Sequence, residues 1–111
     1  MTRINIHDTN LTLRDKPTNW GGGVLLYYNQ PFTGVVYENY SGSLQVLAES
    51  EYKDGILDGR QAEYWENGNI KEECFQKYDY YIGSFKRWNE QGELISHQEF
   101  DNMGNHKETI L

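Results

Sequence analysis

The chain holds a single cysteine, Cys74, so no intrachain disulfide can form, which fits a reducing compartment. Positive charge is scarce: ten Lys and Arg stand against seventeen Asp and Glu, a formal charge of −7. A molecule with that balance repels polyanions, so neither nucleic acid nor a membrane is an expected partner. No apolar run approaches the ~18 residues that span a bilayer, and residues 1–10 carry neither the charged start nor the apolar stretch of a secretory signal. The expected location is cytoplasmic.

Patterns that carry chemistry are also missing. His7, His97 and His106 lie 90 and 9 residues apart. Neither a cysteine nor a paired carboxylate stands beside them at metal-ligand spacing, so no catalytic residue, metal or cofactor is expected and the chain reads as non-enzymatic. The triplet Gly21-Gly22-Gly23 lacks the Lys-Ser/Thr and the helix of a phosphate cradle, and reads as a joint in a loop over residues 17–23. Helical periodicity has little support anywhere.

What is present is an aromatic-rich chain of one-domain length: 111 residues, 14% aromatic, nine of them Tyr. Rings of that kind pack well on pleated, half-buried surfaces. Glycines then supply the organisation. Gly34, Gly59 and Gly83 are 25 and 24 residues apart, and each opens a stretch that ends at a second glycine, Gly42, Gly68 or Gly92. Two positions beyond the second glycine stand Leu44, Ile70 and Leu94, and an aromatic closes the following stretch as Tyr52, Tyr78 and Phe100. Agreement of this kind at one period marks a repeated supersecondary unit.

The unit reads as a β-hairpin. Asn67-Gly68 suits a two-residue turn, and Ser41-Gly42 and Gln91-Gly92 take the same place in the other units. Beyond the turn, Leu44, Val46, Ala48, Ser50 and Tyr52 share one strand face and Ser43, Gln45, Glu49 and Glu51 the other, an alternation broken only by Leu47. Strands are expected near 24–29, 33–40, 43–53, 57–66, 69–79, 82–89 and 93–101. The predicted fold is all-β: an antiparallel hairpin meander forming one curved sheet. A single domain spans 1–111, with atypical capping strands and a loop over 1–23, the repeats over 24–104, and a tail over 105–111. Cys74 takes the place that Ala48 holds one unit earlier, which predicts a small buried residue.

The stretches Pro31-Phe32-Thr33-Gly34-Val35-Val36-Tyr37, Tyr52-Lys53-Asp54-Gly55-Ile56-Leu57-Asp58-Gly59 and Tyr64-Trp65-Glu66-Asn67-Gly68-Asn69-Ile70-Lys71-Glu72 resemble the MORN-repeat variant of bacterial antitoxin and immunity proteins. The resemblance covers about residues 24–104. It implies a curved antiparallel sheet and a protein that protects a cell by binding a toxin encoded beside it.

Charge suggests where such binding would occur. Between Glu49 and Glu73 lie eight acids against Lys53, Arg60 and Lys71, which accounts for −5 of the −7. Concentrated acids can stand in for the phosphates a nuclease grips. Asp54, Asp58, Glu63, Glu66, Glu72, Glu73 and Asp79 are therefore candidate partner-binding residues, joined by the rings of Tyr64, Trp65 and Tyr81. The same acids equally fit an ordinary solvated sheet face. The expected partner is a cognate toxin, a basic nuclease domain with a ribonuclease favoured, whose active site or substrate groove would be blocked. The rival reading is a MORN-type scaffold that mediates protein or lipid interactions.

Overall fold

A computed structural model describes residues 1–14, 23–78 and 80–111. Asp79 and the loop expected over residues 17–23, apart from Gly23, lie outside them. The described chain contains no helix, and therefore none long and apolar enough to cross a membrane.

Among the described residues eleven strands form two sheets: β1 (Arg3–Asn5), β2 (Leu11–Arg14), β3 (Val24–Tyr27), β4 (Gln30–Pro31), β5 (Gly34–Asn39), β6 (Val46–Lys53), β7 (Ile56–Tyr64), β8 (Ile70–Lys77), β9 (Tyr80–Trp88), β10 (Leu94–Phe100) and β11 (His106–Thr109). The large sheet runs β1-β5-β6-β7-β8-β9-β10-β11, so the antiparallel meander expected from the glycine frame is present from β5 to β11. Strands β1 to β4 depart from a single antiparallel sheet. Strand β1 lies parallel beside β5, and β2-β3-β4 make a separate three-stranded sheet.

Turn chemistry explains the main differences from the expected strands. Tyr28 and Asn29 both adopt positive φ, 51° and 64°, and make a two-residue turn between β3 and β4 where a continuous strand was expected. The tail is also ordered: Asp101 N–H donates to Asn105 O at 2.8 Å, which closes a further hairpin and forms β11. Glu66, Asn67 and Gly68 form a three-residue rather than a two-residue loop, since Trp65 N–H donates to Asn69 O at 2.8 Å and Gly68 N–H to Trp65 O at 2.9 Å. Residues 89–93 and 101–105 repeat that geometry.

The first hairpin is one residue longer. Tyr40 N–H reaches Gln45 O at 3.0 Å, β6 starts at Val46, and Leu44 falls in the turn, where it is 95% exposed instead of lining a strand face. The long hairpin turns also stack on each other. Trp65 Nε1 donates to Trp88 O at 3.3 Å, and Asn67 and Asn69 both donate to Glu90 O, at 2.9 and 2.8 Å.

Packing is that of a thin molecule with extents of 41 × 38 × 22 Å and, among the described residues, no large side chain fully buried. Val24, Leu26, Phe32 and Val36 form the apolar centre where the small sheet meets the large one, while Ala62 and Cys74 are buried within the large sheet. The junction is tied by backbone bonds from Leu25 N–H to Gly55 O and from Gly55 N–H to Phe32 O, both 2.8 Å.

Candidate functional site

Side chains of directly paired residues in a sheet share a face, so the ladder register assigns the charges to two surfaces. One row reads Tyr37, Glu49, Ala62, Glu73, Lys86, His97 across β5 to β10. The row on the opposite side reads Glu38, Ala48, Glu63, Glu72, Arg87, Ser96. We call them the network face and the acid face.

On the network face Glu49, Glu73 and Glu99 are already engaged. Ala62, 4% exposed, is too small to separate its neighbours on β7, and Arg60 and Tyr64 reach out from either side of it. Arg60 Nε donates to Glu73 Oε2 at 2.7 Å and Arg60 Nη1 to Glu49 Oε1 at 3.2 Å. Arg3 Nη1 donates to the other Glu49 oxygen at 2.6 Å, and the Tyr64 hydroxyl to Glu49 Oε1 at 2.5 Å. Desolvation pushes the Glu49 carboxyl up, but the hydrogen bonds from Tyr64, Arg3 and Arg60 outweigh it and hold the group below its ordinary value of 4.5. Farther along, His97 Nε2 and Ser84 Oγ meet Glu99 Oε2 at 2.5 and 2.8 Å. The sequence reading paired no carboxylate with His97, yet residues two apart on a strand share a face, and that period was the signal.

This network carries a prediction. A carboxylate with a depressed folded pKa contributes stability that is present above its unfolded value and is lost as pH falls through the folded one. Arg60→Met is expected to cost about 1–2 kcal/mol at pH 7, between the values for exposed and buried pairs because the three side chains are partly screened. The deficit should shrink below about pH 4.5, as Glu49 takes up its proton in both proteins. Urea melts from pH 3 to 7 check this, and parallel wild-type and variant curves would refute it.

On the acid face Glu63 and Glu72 sit directly opposite each other, a like-charge cross-strand pair. Arg87 Nε engages Glu72 Oε1 at 2.8 Å. Among the described residues no cation stands within ion-pair distance of Glu63 or Glu38. The same face carries a ring cluster: Tyr81 lies 4.9 Å from Phe85 and 5.8 Å from Phe100 between ring centres. Cys74, 5% exposed in the middle of this face, is buried as its place in the repeat predicts. Desolvation, then the charges of Glu72, Glu63 and Glu73, pushes its thiol up to about 11, so it is a protonated, unreactive group at neutral pH.

The ten candidates are thus divided. Glu63, Glu72 and Tyr81 share the acid face, with Tyr81 39% exposed. Asp58, Tyr64 and Glu73 lie on the network face. Asp54, exposed, occupies the β6–β7 turn, and its N–H donates to Thr33 Oγ1 at 3.0 Å. Trp65 and Glu66 belong to the stacked turns, where Lys71 Nζ sits 4.7 Å over the Trp65 ring. Asp79 is outside the described residues. The residues missed from the sequence are Glu38, Phe85, Arg87 and Phe100, which join Glu63 and Tyr81 only through register.

Beside the long first turn lies an open cleft of about 460 Å³ lined by Asn5, His7, Asn39, Tyr40, Ser41 and Leu44, among others. Among the described residues no group of three or more His, Cys, Asp or Glu side chains is placed to hold a metal ion. Comparison of the chain with protein-family models, curated proteins and solved structures finds no match.

Proposed function

We propose that this chain is an immunity or antitoxin protein that binds and neutralises a cognate bacterial toxin, a cation-rich nuclease with a ribonuclease favoured. The observation that carries this reading is an open, thin sheet on which, among the described residues, no second layer packs over β7 to β10, while the chain bears a net charge of −7. Such a sheet offers area for the ~1,600 Å² of a stable protein interface. Its charge steers a basic partner into contact. The resemblance of the glycine frame to toxin-neutralising repeat proteins supplies the biological context.

Neutralisation by this route is stoichiometric: the sheet covers the toxin's active site or substrate groove and excludes its substrate. The test is co-expression with the product of the neighbouring gene. A complex that co-elutes one to one, dissociates faster as salt is raised, and rescues growth is the expected result. Continued sensitivity of cells that express both proteins, or separate elution, would remove the reading. Retention on anionic vesicles instead would favour the lipid-binding scaffold.

A further inference from the structure

The two faces of the sheet differ in what they leave unsatisfied. On the acid face three acids, Glu38, Glu63 and Glu72, face one base, Arg87, across β5 to β10. On the network face five acids across the same strands, β5 to β10, are interleaved with five bases, and Glu49, Glu73 and Glu99 already have cationic or imidazole partners.

We propose that the acid face is the docking surface, and that its occupant is an arginine- or lysine-bearing segment of a basic protein, which sets its cation at Glu63 and an apolar side chain on the Tyr81–Phe85–Phe100 rings. This rests on the partner-binding reading above and assigns it to one surface.

Charge complementarity and ring exposure support it together. Glu63 is exposed and lies opposite Glu72, so the free fold holds two carboxylates side by side with a single guanidinium, that of Arg87, on Glu72. A second cation is attracted to that place and relieves the repulsion, whereas on the network face it would compete with Arg3 and Arg60. Phe85 lies two residues along β9 from Arg87, whose guanidinium carbon is 5.2 Å from its ring centre. Ring edges and a charged rim in one patch are the usual make-up of an interface anchor.

The network face supplies a matched control. Glu108 of β11 stands directly opposite Glu99, a second cross-strand pair of carboxylates in which one member is already hydrogen-bonded. Glu63→Lys and Glu108→Lys therefore change the charge equally and relieve the same kind of repulsion, on opposite surfaces. The probe is a fluorescent ten-residue arginine peptide, with binding followed by anisotropy at low salt. We expect Glu63→Lys to weaken the peptide by about tenfold or more and Glu108→Lys by less than about threefold, while both keep or raise the thermal midpoint. Equal losses in the two variants, or a larger loss in Glu108→Lys, would overturn the assignment.

The neighbouring gene's product gives the second arm. If it is still neutralised by Glu63→Lys as by the wild type, the assignment of the face falls while the toxin reading stands. If the peptide discriminates the faces but that product never binds, the face stands and the toxin reading falls.

Discussion

Gly55→Ala is expected to destabilise the fold by about 2–4 kcal/mol and to lower the thermal midpoint by more than about 10 °C. Two costs add at this position. Gly55 sits at φ 83° in the two-residue turn between β6 and β7, a conformation that carries a penalty for any residue with a β-carbon. An added Cβ would also lie 2.3 Å from Val24 Cγ1 and 2.8 Å from Leu25 O, and β3 cannot back away without breaking the 2.8 Å bond from Leu25 N–H to Gly55 O. Gly42→Ala separates the two costs. Its φ is 69°, but nothing lies within 4 Å of the new atom, so only the backbone penalty of about 1 kcal/mol applies. Thermal melts of the two variants side by side give the steric part by difference, and equal losses would show that the small sheet does not press on the turn.

Phe32→Ala is expected to cost about 3–4 kcal/mol. Phe32 is 4% exposed and lies 6.0 Å from the Tyr27 ring and 6.5 Å from the Tyr52 ring, which links the small sheet to β6. Truncation leaves a cavity in the apolar centre that the two sheets share. The loss should be uneven. Amides of β2 and β3 should exchange with solvent earlier than those of β7 and β8, because the meander keeps its own ladder bonds and turns. Hydrogen exchange checks the order, and a loss under about 1 kcal/mol would show that the junction contributes little. Since Phe32 does not reach Glu63, binding of a basic partner should persist in the fraction that stays folded.

The meander was legible because its signals are local. Gly68, Gly92 and the alternation of Val46, Ala48 and Ser50 each act within a few residues, and the 24-residue spacing multiplies them. Leu44 shows the limit of such reading. Its place after Gly42 matched Ile70 and Leu94, but the glycine comes one position earlier in the loop, and the hydrogen bond from Tyr40 to Gln45 carries Leu44 out of the strand. The turn at Tyr28-Asn29 was hidden for a different reason: a tyrosine at positive φ is held there by its surroundings, not by its own preference.

The candidate site was legible as composition and not as geometry. Eight acids between residues 49 and 73 are visible at a glance, but adjacent residues such as Glu72 and Glu73 go to opposite faces, so a run of like charges becomes two surfaces of different character. Arg60 lies 11 residues from Glu49 and 13 from Glu73, and only the alignment of three strands brings it between them.

From the sequence alone come the all-β class, the hairpin unit and its period, the buried Cys74 and the excess of negative charge, because each follows from residue type and short-range spacing. The parallel seat of β1, the separate small sheet, the neutralised network and the exposed Glu63–Tyr81 surface were decided only in three dimensions. They depend on register between distant strands, where a shift of one residue turns every side chain to the other face.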